Sequence, residues 1–197
     1  MTIISEGDLV LFYLDARKNW LLRVEAGKSF HLHRGILNFD DIIGKEFGSF
    51  IKTSLGTQIA ALYPLPRDLA LKMGRQTNIV YPKDTGLILL LTGIGPGSIV
   101  VEAGTGSGAL TSVLGYYVRP NGHVYSYEIR EDFIPEAQKN LGKAGVEDLV
   151  TIKNQDILSG IEEKNVNAIV LDMATPWEVV PIAYEALCGG AVFTSFS

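Results

Sequence analysis

The segment Val100-Val-Glu-Ala-Gly104-Thr-Gly106-Ser-Gly108-Ala-Leu-Thr111 constrains this chain most: an apolar run meets three glycines at alternate positions and then a helix-forming stretch. Glycine adopts backbone angles that other residues resist and lets the chain approach a ligand closely. The unpaired N–H groups at a helix start favour an anionic or polar ligand group. A strand, a glycine turn and a helix are therefore expected, although a purely structural tight turn is written with the same letters. The alternation continues downstream. Strands are predicted at 98–102, 123–128, 150–153, 168–172 and 191–195, with helices at 108–117, 132–144 and 179–187. Apolar strands alternating with helices predict a parallel sheet covered on both faces, an α/β Rossmann-like domain.

Residues 1–66 read differently. Short strands are predicted at 9–13, 19–24 and 29–32, and Gly35, Gly44, Gly48 and Gly56 punctuate the rest. This pattern predicts a small all-β domain, barrel-like or sandwich-like. Tyr63-Pro64-Leu65-Pro66 can continue neither a helix nor a central strand, so the domain junction is placed there, with the second domain at 67–197. Within it, helices are expected at 67–73 and at 84–92, with Pro82 just before the latter.

Composition narrows the class further. The apolar stretch 85–101 is interrupted by Gly93, Gly95, Pro96 and Gly97, so it reads as helix, turn and strand and not as a bilayer span. A single cysteine, Cys188, allows no intrachain disulfide, and a cytoplasmic protein is the simplest reading. The net charge of −5 disfavours a nucleic-acid binder. Its distribution softens that, because residues 1–66 carry seven Lys/Arg and seven Asp/Glu, and 67–84 carry Arg67, Lys72, Arg75 and Lys83 against Asp68 and Asp84. His31, His33 and His123 form no metal-ligand pattern, so no metal is expected.

Two further positions turn the glycine segment into a candidate nucleotide site. Glu128 closes the next strand, 24 residues after Gly104, at the spacing from which an acid reaches a ribose. Asn154-Gln155-Asp156-Ile157 follows the third strand, where an adenine ring would rest. All lie at carboxyl ends of adjacent strands, where open α/β sheets bind ligands. The spacing alone does not choose between a dinucleotide and another nucleoside cofactor.

The form of the turn does choose. Glu102-Ala-Gly104-Thr105-Gly106-Ser107-Gly108 resembles motif I of class I S-adenosylmethionine (AdoMet)-dependent methyltransferases, and Gly108 falls one residue too early for the dinucleotide pattern. The resemblance implies AdoMet as cofactor, with Glu102 near its methionine part and Glu128 on its ribose. Gly104, Thr105, Gly106, Ser107, Gly108, Leu110, Thr111, Asp156 and Asp172 complete the implied cofactor site. Three more segments narrow the likeness to the tRNA (adenine-N1)-methyltransferases. Arg75-Gln-Thr-Asn-Ile-Val-Tyr-Pro-Lys-Asp84 resembles the motif that precedes their AdoMet domain. Asp172-Met-Ala-Thr-Pro176-Trp177 resembles their Asp-x-x-x-Pro-Trp motif. Asp41-Ile-Ile-Gly-Lys45 followed by Gly48 resembles a segment of their N-terminal barrel. Together these cover residues 35–195. Asn78 departs from the usual Gln and loses one methylene of reach. The chain stops after the fifth strand, so strands six and seven of such a sheet are expected to be missing, leaving an exposed edge.

The resemblance implies methylation of adenine N1 in the T-loop of tRNA at position 58, with 57 as a second target, by a homotetramer. The chemistry fits the residues. N1 of neutral adenine carries a lone pair, and the methylated base is cationic, so a carboxylate at the base edge stabilises the developing charge. Asp172, at the end of the fourth strand, is the candidate for that task; a helix N-cap is its alternative role. Tyr81 is the candidate to stack on or orient the adenine, against a core aromatic. Arg75 and Lys83 are candidates for phosphate contact, Thr77 and Asn78 for the substrate, and Pro176 and Trp177 for the pocket wall. Two other functions stay open: a protein isoaspartate methyltransferase, whose motif I is very similar, and a non-catalytic subunit that binds AdoMet or RNA.

Overall fold

A computed structural model describes residues 2–74 and 78–196. The chain forms two compact units, Met1–Asp68 and Leu69–Ser197.

The first unit holds β1 (Leu9–Tyr13), β2 (Asn19–Arg23), β3 (Ser29–Leu32), β4 (Gly35–Asn38), β5 (Phe50–Lys52) and β6 (Gln58–Leu62). An antiparallel sheet in the order β2-β1-β6-β5 faces a separate ribbon of β3 and β4. Asp15 fixes the β1–β2 turn, because one carboxylate oxygen accepts the N–H groups of Arg17 and Lys18, both at 2.8 Å. Sheet and ribbon share one core, in which Val10, Phe12, Leu37, Phe39, Ile51 and Ile59 are buried. The antiparallel fold matches the expected all-β character, but the sheet is open and sandwich-like; its edges are not joined into a barrel among the described residues.

After α1 (Pro66–Lys72), the second unit runs α2 (Pro82–Thr92), β7 (Ile99–Ala103), α3 (Ala109–Tyr117), β8 (His123–Glu128), α4 (Ile134–Ala144), β9 (Val150–Asn154), β10 (Val166–Asp172), α5 (Val180–Ala186) and β11 (Leu187–Phe196). The five strands form a parallel sheet in the order β11-β10-β7-β8-β9. Consecutive residues of β7 point to opposite faces and both are buried: Val101 packs with Ile169, Leu171, Val179 and Ala183, and Val100 with Leu110, Leu114, Val124 and Val170. This two-sided burial is why the strands read as continuous apolar runs. The chain builds outward from β7 through β8 to β9, then returns to start β10 on the other side. Ligands bind at such a reversal, beyond the carboxyl ends of the strands.

Two helix starts differ from expectation by two residues, the others by one. Pro82 is the first residue of α2, since a proline is favoured where the N–H would be unpaired anyway. The stretch expected to open α4 at 132 begins instead as a 3-10 turn at Glu131–Phe133, with α4 starting at Ile134. No helix among the described residues is long and apolar enough to cross a membrane.

Candidate functional site

The turn after β7 needs its glycines. Gly104 has φ +91°, and a β-carbon there would stand 2.0 Å from the Asp172 carbonyl oxygen. Gly108 has φ +76° and packs against Ala137 of α4, where a β-carbon would meet the helix backbone at 3.2 Å. Any side chain at Gly104 would push β7 and β10 apart at the point where their ends must meet.

Around this turn lies a cleft of about 260 Å³, lined by Asn78, Ile79, Val80, Gly104, Thr105, Gly106, Ser107, Leu110, Glu128, Phe133, Asp172 and Met173, among others. An adjoining hollow of about 250 Å³ shares Gly104, Glu128, Ile129 and Met173 and adds Asp156, Ile157 and Leu158. The ends of β7, β8, β9 and β10 therefore open on one continuous groove. Among the described residues its lining holds Glu128, Asp156 and Asp172 and no Lys or Arg.

The acids differ in what holds them. Glu128 accepts the Gly106 N–H at 2.8 Å on one oxygen and the Arg130 N–H at 2.9 Å on the other. Each oxygen keeps a free lone pair, so the carboxylate can accept two further hydroxyls from a vicinal diol. Asp156 accepts the Leu158 N–H at 2.9 Å and caps a short 3-10 turn, which fixes Ile157 and Leu158 at the mouth of the second hollow. Asp172 is half-buried, and that burial pushes its carboxyl above the ordinary aspartate range. Exposed apolar side chains, Ile129 and Leu158, flank the second hollow and would cover a flat ring.

Glu102 stands elsewhere. It is fully buried beneath the glycine turn and is not among the residues that line the groove. One oxygen accepts the hydroxyls of Thr111 and Ser126, both at 2.6 Å, while the other has no partner. Since Ser126 gives its proton to Glu102, the Thr105 hydroxyl donates to Ser126 at 2.6 Å, and the chain Thr105–Ser126–Glu102 ties the turn to β8. Burial raises the Glu102 carboxyl to about 7; the Ser126 and Thr111 hydrogen bonds oppose the rise, and Asp172 and Glu128 add to it.

The remaining candidates divide. Gly108 and Thr111 shape the turn from below. Tyr81, 56 % exposed at the start of α2, and Trp177, 64 % exposed, are not core aromatics, but neither lines the groove. Pro176 is buried. Lys83 is paired with Asp84 at 2.7 Å. Asp172 precedes the 3-10 turn of Pro176–Val179 without capping it, since that turn has no side-chain cap. Arg75 and Thr77 lie outside the described residues.

One residue escaped the sequence reading. Asn140 of α4 is fully buried, and its amide donates to the Gly74 carbonyl at 3.0 Å and the Ser107 carbonyl at 2.8 Å. It clamps the segment preceding α2 to the glycine turn. The Met73 sulfur, one residue earlier, lies 3.5 Å from the Ser112 hydroxyl oxygen, whose proton goes to the Gly108 carbonyl at 2.6 Å. The available signal was an amide in the apolar stripe Ala137, Asn140, Leu141 of an amphipathic helix, where a buried polar group must have a partner.

The five-stranded order, the glycine turn and the acid at the tip of β8 define a class I methyltransferase fold. The fold matches at a TM-score of 0.86 and 37 % identity the structure of a SAM-dependent O-methyltransferase from Thermotoga maritima, over 98 % of this chain and 72 % of that one. It matches at 0.78 and 31 % the tRNA (m1A58) methyltransferase TrmI from Aquifex aeolicus, over 98 % and 76 %. The chain belongs to the family described as tRNA methyltransferase complex GCD14 subunit, which matches residues 58–197; a TrmI-like N-terminal family matches residues 3–51. A relative from Methanocaldococcus jannaschii, a tRNA (adenine(57)-N(1)/adenine(58)-N(1))-methyltransferase TrmI, is 35 % identical over 86 % of this chain and 68 % of its own. The chain spans 65 % and 55 % of the length of the first two curated relatives it matches.

Proposed function

We propose that this chain uses AdoMet to methylate N1 of an adenine in the tRNA T-loop, at position 58, with 57 as a second target. The observation that carries the reading is the charge of the groove: carboxylates at the ends of β8, β9 and β10 and no cationic side chain among the described lining. A dinucleotide would bring a pyrophosphate and call for the opposite charge. A sulfonium cofactor and a base that becomes cationic both suit an anionic groove. An isoaspartyl substrate, itself a carboxylate, would be repelled by it.

The residues present fit an adenosine. Glu128 would accept both ribose hydroxyls, Ile129 and Leu158 would flank the adenine, and the polar tail would lie along the turn at Gly104–Gly106. AdoMet supplies an electrophilic methyl group on its sulfonium. Asp172, across the turn from Gly104, would accept a hydrogen bond from the exocyclic amine of the target adenine and face the positive charge that grows on the ring. Its burial strengthens that interaction relative to water. Tyr81, exposed and directly following the groove-lining Asn78, Ile79 and Val80, is proposed to orient the flipped base together with Asn78, and Trp177 to contact it from the β10 side. The same reading carries a tRNA partner, assembly as a homotetramer and a cytoplasmic setting. Residues 67–197 are proposed as the catalytic domain and 1–66 as the smaller one. The relatives named as tRNA adenine-N1 methyltransferases support this choice over the O-methyl transfer named for the Thermotoga protein, because an adenine N1 needs no general base to become nucleophilic.

The test is methyl transfer to unmodified tRNA, with the product digested and analysed for 1-methyladenosine. Label in that nucleoside, lost in Asp172→Ala, is expected. Label on a ribose or a protein side chain, or none with the full-length protein, rejects the reading.

A further inference from the structure

The first unit carries a hollow that the methyltransferase reading does not use. It is the largest of the clefts described, about 550 Å³, and is lined by Leu14, Lys18, Trp20, Phe30, His31, Leu32, His33 and Arg34. That volume lies within the range of pockets that hold small organic groups. Trp20 and Phe30 form its floor. Their rings are 5.8 Å apart and tilted by 59°, and both are only half-buried. The alternation along β3 puts Phe30 and Leu32 on the core side and leaves His31 on the other, so the floor continues the hydrophobic core outward into an open surface.

The rim is of one sign. Lys18, His33 and Arg34 are exposed, and no acidic side chain lines the hollow. Among the described residues none of these three side chains has an ion-pair or hydrogen-bond partner, whereas Lys28, Lys83 and Lys153 are each paired with acids. In a protein of net charge −5, three uncommitted basic or titratable side chains around an aromatic floor mark a local departure from the mean. The position of the cations is fixed by the fold. Lys18 sits in the β1–β2 turn that Asp15 closes, and the Arg34 carbonyl accepts the Thr53 hydroxyl at 2.6 Å, which holds the β3–β4 turn against the segment after β5.

We propose that this hollow binds an unpaired nucleotide of the RNA substrate, its base stacked on Trp20 and Phe30 and its phosphates met by Lys18 and Arg34. Aromatic platforms flanked by cations are how proteins hold unstacked bases, since every base offers a π-face and every link a phosphate. The groove at the β-sheet ends has the opposite character: it is anionic and suits a cation. A polyanionic substrate would be repelled by that groove, so a cationic contact elsewhere on the chain supplies the attraction that the reacting groove lacks. The inference rests on the reading that the chain acts on RNA, and it adds where that RNA is gripped.

The test separates the two. The chain has two tryptophans, so in a Trp177→Phe background the fluorescence reports Trp20 alone. Single-stranded oligoadenylate is titrated into this protein and into the same protein carrying Lys18→Glu and Arg34→Glu. Quenching that saturates, and that weakens tenfold or more on charge reversal with the salt slope lowered by about 1.4 (two single-strand phosphate contacts), is expected. With Lys18 and Arg34 reversed in the protein that keeps Trp177, unmodified tRNA should show the same loss in its KM, with AdoMet affinity and kcat at saturating tRNA unchanged. Absence of quenching, or equal affinity in the charge-reversed protein, overturns the site whatever the catalytic assay gives. Quenching in the reporter protein, without methyl transfer by the protein that keeps Trp177, would instead reject the catalytic reading and leave the site standing. Loss of self-association on charge reversal, with no effect of RNA, would show that a second copy occupies the hollow and would also overturn the proposal.

Discussion

The two units put their polar groups in different places for the same physical reason. In the second unit the central strands β7 and β10 of the parallel sheet are buried on both faces, so their backbone is free to meet a ligand only at the strand ends, and Gly104, Glu128, Asp156 and Asp172 crowd there. In the first unit the sheet and ribbon bury one face each, and the aromatic core spills to the surface between Trp20 and Phe30. One unit presents carboxylates in a narrow groove, the other aromatics under cations. On the proposed reading, the difference divides attraction for a polyanion from stabilisation of a cation.

The largest expected effect lies at Asp172. Asp172→Ala should lower kcat by about 10²–10³-fold, as removal of one charge-stabilising group from a water-poor site does. AdoMet affinity should change far less. Because burial raises the Asp172 carboxyl and its ionised form faces the positive charge, methyl transfer by the parent should fall as pH is lowered toward that raised value. A pH–rate profile that Asp172→Asn leaves unaltered would break the contrast between the groove and its surroundings.

Glu102 comes next and concerns stability. Its carboxyl rises from 4.5 in the unfolded chain to about 7 in the fold, so the fold binds the proton more tightly. The associated stability is fully present below 4.5 and is lost as pH rises through about 7, a cost of about 3 kcal/mol above that range at 1.4 kcal/mol per unit. Denaturant melts from pH 5 to pH 8.5 should show this decline in the parent and a flatter curve in Glu102→Gln. Parallel curves for the two proteins would show that Glu102 is not the buried acid described.

Glu128→Gln should weaken AdoMet by about 10–100-fold, the worth of charge-assisted hydrogen bonds to a diol, as read by calorimetric titration. Asn140→Ala should have the smallest effect. Two carbonyls lose their shared donor at about 1 kcal/mol each, and KM for both substrates should rise several-fold with kcat nearly kept. A change in the KM for AdoMet alone would mean that Asn140 supports only the glycine turn and not the segment before α2.

Much of this was legible in the residues. The alternation of apolar runs with helix-forming stretches identified all five parallel strands, most plainly β7 and β10, whose burial on both faces makes them continuous apolar runs. The glycine spacing marked the turn, since φ +91° at Gly104 and the carbonyl of Asp172 behind it exclude a side chain. What could not be read was depth. Glu102 and Glu128 lie near matching ends of neighbouring strands, yet one is sealed under the turn and the other opens on the groove. Two residues along the chain cannot show that Thr111 and Ser126 close over the first. Asn140 was missed because its partners are carbonyls of residues 33 and 66 positions away, which no local pattern connects. The β1–β6 sheet read as barrel-like because short strands with glycine turns suit both a closed and an open sheet.

The central claim is that the ends of β7, β8 and β10 meet on a single bound cofactor. A crystal structure of the protein with S-adenosylhomocysteine tests it most directly. The account predicts the ribose hydroxyls on Glu128, the ring between Ile129 and Leu158, and the sulfur facing the gap between Gly104 and Asp172. A ligand whose ribose rests on another carboxylate, or whose sulfur points away from Asp172, would contradict it.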